Sequence, residues 1–128
     1  MKPSSFYLPV TFLIVTFILL VIPGNEFPKA KVFDIPGLDK IVHTGIFFLL
    51  VYLFCRPFKY QSIDAAKKKA VFIEIALYAF VYGVIMEFVQ KFFVPFRSFE
   101  LADIMVDGLG ALIGFLFSKR MISTKPNP

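Results

Sequence analysis

The chain has almost no cysteine. Cys55 is the single one among 128 residues, which excludes an intrachain disulfide and any metal motif built on cysteine pairs. It ends an apolar run beside Arg56 and reads as a packing residue. No serine or cysteine lies in a recognised nucleophile motif, and neither an internal repeat nor a low-complexity tract is visible. Small-x-small cleavage spacing is also absent after the first apolar run, where Pro23-Gly24-Asn25 follows instead. This argues against a removable leader and for a retained first transmembrane helix.

Apolar residues are what the chain has in excess. They make up 58% of it, with 18 phenylalanines and a mean hydropathy of +0.76. Soluble domains hold about 45–50%. The excess is concentrated in four runs, at about 6–22, 39–55, 70–94 and 101–118. The first run has 17 residues and spans roughly 26 Å as a helix, a little short for an average hydrocarbon core. The expected fold is all-α: one polytopic membrane domain over residues 1–128, with four transmembrane helices in a compact bundle. Breakers at Pro28, Pro36, Gly37, Pro57 and Pro95 separate the runs, and the tail to Pro128 is expected to be mobile.

The net charge of +5 does not point to nucleic acid, because the basic residues flank apolar runs instead of interleaving with aromatics on an accessible face. With the N-terminus cytoplasmic, nine Lys and Arg face inward (Lys2, Arg56, Lys59, Lys67, Lys68, Lys69, Lys119, Arg120, Lys125) and five face outward (Lys29, Lys31, Lys40, Lys91, Arg97). The positive-inside rule therefore predicts cytoplasmic termini. A multi-pass protein of the bacterial cytoplasmic (inner) membrane is expected.

This topology sends the unusual polar residues to one layer. Asp39, Lys40 and His43 stand at the outer end of the second helix, Glu87 and Gln90 near the outer end of the third, and Asp103 and Asp107 at the outer end of the fourth. Arg97 lies in the loop between the last two. Asp103, Asp107, Gly110 and Gly114 share one helix face by their 4-3-4 spacing. The Gly110-x-x-x-Gly114 pair marks that face as a packing face. Gly83, Glu87 and Gln90 share a face of the third helix in the same way.

Bland readings stand beside these. Capping of helix N-termini would account for Asp39, Glu100 and Asp103, snorkelling for Lys40 and Lys91, and a structural bond to Asp39 or a carbonyl for His43. Glu87, Gln90 and Asp107 resist such readings, since a charged group inside a span costs about 2.5 kcal/mol or more at mid-membrane.

The ordered set Asp39-Lys40-x-x-His43, Glu87-x-x-Gln90, Arg97 and Asp103-x-x-x-Asp107-x-x-Gly110-x-x-x-Gly114 resembles the VanZ-like membrane protein family over roughly residues 38–118. The resemblance implies a small multi-helix membrane protein. It implies no established reaction, and the family takes its name from a bacterial determinant of tolerance to teicoplanin, a lipid-bearing glycopeptide. Position 107 departs from the family's usual Asn and adds a negative charge.

Three functions are weighed. In the first, Asp39, Lys40, His43, Glu87, Gln90, Arg97, Asp103 and Asp107 line an outward pocket for an amphiphilic envelope molecule. Its anionic head group would meet Arg97, Lys40 and His43, and membrane lipids would surround it. In the second, the protein is a lipid-modifying enzyme. His43 would act as acid or base oriented by Asp39, with Glu87 as its acidic partner, or His43, Glu87, Asp103 and Asp107 would hold a hard cation. In the third, Glu87, Arg97 and Asp103 form an ion-pair network in a scaffold protein. No cofactor, bound metal or nucleic-acid partner is expected. A transporter is disfavoured because no acidic residue stands near the bilayer midplane.

Overall fold

A computed structural model describes residues 2–23, 37–95 and 99–122. The loop with Pro28 and Pro36, Arg97 and the tail beyond Ile122 lie outside the described residues. Four helices account for nearly all of the rest: α1 (Tyr7–Val21), α2 (Leu38–Cys55), α3 (Ala65–Phe93) and α4 (Leu101–Ser118). Short 3-10 turns, Pro3–Phe6, Arg56–Phe58 and Lys119–Met121, lead into α1 and follow α2 and α4. All four helices are long and apolar enough to cross a membrane when the flanking turns are included.

Burial on α4 follows the helical period read from the sequence, and α2 shows a stripe of the same kind that leaves Asp39 exposed. On α2 the buried residues are His43, Phe47, Leu50, Val51 and Cys55. On α4 they are Asp103, Asp107, Gly110, Ala111, Gly114 and Ser118. Steps of three and four keep each set on one stripe. The remaining surface is apolar and exposed, with Leu77, Tyr78, Phe92, Met105 and Leu112 all more than half exposed. Lipid provides the solvent for such a surface.

The α2–α4 pair is closest, and glycine makes it so. A methyl on Gly110 would collide with the Thr44 carbonyl oxygen, and one on Gly114 would stand 2.8 Å from that of Phe48. Backbone meets backbone at both positions, as small-residue packing in membranes requires. Phe48 and Tyr52 then close over Phe117, with ring centroids 5.4 and 5.5 Å apart.

One boundary moves. The sequence reading starts the third helix near Ala70, but α3 begins at Ala65 and takes in the basic run. Ala and Lys are good helix formers, and the backbone N–H of Lys68 bonds the Asp64 carbonyl at 2.9 Å. The Lys68 side chain turns inward and donates to the Lys59 carbonyl oxygen at 3.0 Å. Charge suggested a loop; helix propensity and the backbone bond to Asp64 make the segment the first turns of a helix, braced by the Lys68 side chain.

Candidate functional site

The N-terminal ends of α2 and α4 meet the C-terminal end of α3 at one end of the bundle. Gly37 starts α2 with φ at 81°, a left-handed backbone that glycine adopts without strain. It delivers Asp39 and Lys40 in the first turn of α2 and His43 one turn on. Glu100 and Asp103 open α4. Neither helix has a side-chain cap at its first position. Asp39 and Asp103 do stand in the first turns of α2 and α4, where the helix dipole favours them, but none of the three carboxylates makes a side-chain cap there, and Lys40 bonds all three instead.

Lys40 Nζ donates to Asp39 Oδ2 at 3.1 Å and also bonds Glu100 Oε2 and Asp103 Oδ1. It does not snorkel away; it ties α2 to α4. The Asp103 side chain is buried, whereas those of Glu100 and Asp39 are 47% and 61% exposed. Most of the net benefit therefore comes from the Asp103 arm, since exposed pairs contribute little. Three carboxylates around one ammonium leave this group formally negative.

Behind it lies a buried pair. His43 Nδ1 and Asp107 Oδ1 are 2.8 Å apart, and both side chains are buried. An ionised Asp107 only accepts, and with it the neutral ring carries its proton on Nδ1 and keeps a lone pair on Nε2. Asp107, not Asp39, is the group that orients His43. The register explains this, because Asp39 points to the exposed rim while His43, one turn on, points to α4.

Glu87 on α3 is almost completely buried, at 1% exposure. Its Oε1 accepts from the Glu100 backbone N–H at 2.7 Å. Its depth is thus set by the residue that leads into α4 and not by counting from the start of α3. Gln90, one turn on, donates from Nε2 to the Leu20 carbonyl at 2.8 Å. That carbonyl belongs to the last turn of α1, where acceptors lack helical partners. Gln90 fastens α1 to the bundle and is committed to that bond. Gly83 packs against Asp107 and Phe47.

The proposed cation set does not assemble. Asp103 is drawn to Lys40, Asp107 to His43 and Glu87 to the Glu100 amide. Among the described residues, the acidic or histidine group whose ligand atoms do lie within 4.8 Å of one another is Asp39, Glu100 and Asp103, and the Lys40 ammonium bonds all three. Arg97 of the expected Glu87, Arg97 and Asp103 network lies outside the described residues; among those described, Asp103 pairs with Lys40, beside Asp39 and Glu100. Glu100 is the participant that sequence reasoning set aside as a cap. Its signal was the Glu100-x-x-Asp103 spacing, which stacks two carboxylates on one turn.

A shallow groove of about 390 Å³ leads away from this cluster along α2 and α4, lined by Lys40, Ile41, Thr44, Gly45, Phe48 and Ile113. No atom lies within 4 Å of where a Gly45 side chain would begin, so its absence leaves the groove open. Apart from Lys40 the walls are almost wholly apolar.

The family described as VanZ/LLP1 matches residues 4–122. A protein of the fission yeast Schizosaccharomyces pombe, described only as uncharacterised, is 32% identical over 110 residues, which is 83% of this chain. The chain spans 64% of that relative's length. No solved structure matches.

Proposed function

The chain belongs to the VanZ/LLP1 family, and from that premise we propose that it binds an amphiphilic cell-envelope molecule, a lipid or lipoglycopeptide-type compound, at the polar end of the bundle. The observation that carries this reading is the junction of a charged cluster with an apolar groove: Lys40 belongs to both. An acyl chain would lie along Ile41, Gly45, Phe48 and Ile113, and the head group would meet the rim. Because Asp39, Glu100 and Asp103 outnumber Lys40, the fitting head group presents donors, either hydroxyls or an ammonium. The anionic head group expected from sequence relied also on Arg97, which lies outside the described residues; the carboxylates around Lys40 favour a donor-bearing head group. The basic flanks at the other end support an outward polar end, in the outer leaflet of a bacterial cytoplasmic membrane.

The test is native mass spectrometry of purified protein exposed to a total envelope-lipid extract or to teicoplanin. Wild type is expected to retain a defined adduct. Gly45→Leu, which fills the groove, should lower retention about tenfold if it removes roughly 1.4 kcal/mol of chain contact. Equal retention in Gly45→Leu, or no adduct in wild type, overturns the proposal.

The buried His43–Asp107 pair favours a second reading, a lipid-modifying enzyme in which Asp107 orients His43 and Glu87 supplies the acid. Turnover of the same extract that disappears in His43→Ala, with helical structure retained, would select it over simple binding. An unchanged extract with wild type would dismiss it.

A further inference from the structure

The end opposite the polar cluster carries a second, differently built cleft. It has a volume of about 420 Å³, and Tyr52, Arg56, Lys59, Tyr60, Phe117 and Arg120 form most of its wall. Among the described residues, three cations line it and no carboxylate does. They come from two separate chain segments, the turn after α2 and the turn after α4. Aromatic rings hold two of them in place. The Arg120 guanidinium lies 4.5 Å from the Phe117 ring centroid, and Lys59 Nζ lies 5.2 Å from that of Tyr60. Behind Lys59, the buried Lys68 ammonium donates to the Lys59 carbonyl, bracing the turn and adding positive potential to the site.

A topological signal needs only that basic residues lie on one side of the membrane. Lys2, Lys67 and Lys69 meet that need as exposed residues at the same end. Convergence of Arg56, Lys59 and Arg120 on a cleft goes further. It matches a group with several acceptor oxygens, which arginine meets with a fork of N–H donors and tyrosine with its hydroxyl. The Phe117 and Tyr52 rings make the remaining wall apolar, and Phe117 and Leu116 face outward into lipid.

We propose that this cleft seats the phosphodiester head group of an anionic glycerophospholipid from the leaflet at the basic end. Its glycerol would rest on Phe117 and Tyr52, with the acyl chains running along the outer face of α4. The site lies at the other end of the bundle from the amphiphile groove and stands or falls separately from it.

Native mass spectrometry of the full chain in detergent, with dioleoyl phosphatidylglycerol or dioleoyl phosphatidylcholine, tests this. The wild type is expected to retain phosphatidylglycerol about tenfold better than phosphatidylcholine, and the variant Arg56→Gln/Lys59→Gln/Arg120→Gln should lose that preference. A control with the same loss of charge at the same end, Lys2→Gln/Lys67→Gln/Lys69→Gln, should keep it. Should the triple variant fail to fold, Arg56→Gln and Lys59→Gln alone are each expected to weaken retention about threefold. An equal loss in the control would mean diffuse charge attraction and overturn the site. Displacement of the lipid by millimolar inorganic phosphate, which then remains bound itself, would make it a free-anion site and overturn the lipid assignment. No preference in the wild type would also overturn it.

Discussion

The carboxylate of Asp107 occupies the space that Gly83 leaves on the neighbouring helix. A methyl at position 83 would stand 2.9 Å from Asp107 Oδ2, 3.1 Å from its Cβ and 3.1 Å from Phe47 Cε1. Neither end of Asp107 can then move freely, because its other oxygen is held by His43. Gly83→Ala is therefore expected to displace Asp107 and to cost about 1–3 kcal/mol through overpacking. Thermal unfolding in detergent measures the cost. A wild-type Tm would mean that the carboxylate has room to yield.

The chain has one histidine, so its imidazole nitrogens are assigned without ambiguity by 15N NMR. The neutral ring is expected to carry its proton on Nδ1, directed at Asp107. Asp107→Asn keeps an acceptor oxygen and should preserve this tautomer. Asp107→Ala removes the acceptor from a buried donor and should cost about 1–3 kcal/mol. Protonation on Nε2 in the wild type would contradict the geometry.

Loss of Lys40 leaves three carboxylates facing one another, one of them buried. Lys40→Ala is expected to destabilise the bundle by about 1–2 kcal/mol, below the figure for a fully buried pair because Asp39 and Glu100 are hydrated. Adding Asp103→Asn should recover part of the loss, since the buried negative charge is then gone. A second mutation that only deepens the defect would show that Lys40 acts by packing and not by charge.

The two glycines of α4 set its distance from α2. Gly110→Ala is expected to be the more damaging, because its added methyl overlaps the Thr44 carbonyl oxygen, whereas that of Gly114→Ala stands 2.8 Å from the Phe48 carbonyl oxygen. Losses of about 1–3 kcal/mol are expected for each, read as a fall in Tm and as faster proteolysis. The methyl of Gly45→Ala meets nothing within 4 Å, so this substitution serves as the neutral control.

Gln90→Leu removes the donor that satisfies the Leu20 carbonyl. The expected cost of that unsatisfied buried acceptor is about 1–3 kcal/mol, with α1 loosened selectively. Hydrogen exchange of the α1 amides measures this directly, with faster exchange expected there than in α2 or α4. Unchanged exchange in α1 would show that its apolar packing alone holds it.

Much of this architecture is already present in the sequence. The four runs, their lipid-facing excess and the inward faces of α3 and α4 follow from hydropathy and from steps of three and four, because a helix in lipid must satisfy its own backbone and can bury only one stripe. The convergence of Asp39, Lys40, His43, Glu87, Asp103 and Asp107 at one end follows from alternating helix direction. Partner choice does not. Sequence spacing put His43 with Asp39 on one helix, but rotation of α2 against α4 gives it to Asp107 and leaves Asp39 to Lys40. Spacing likewise could not show that Glu87 meets a backbone amide, or that Gln90 is taken by α1. Which polar groups share a layer is a matter of chain length and direction. Which of them touch depends on helix rotation and on glycine-controlled approach, and only the packed bundle decides that.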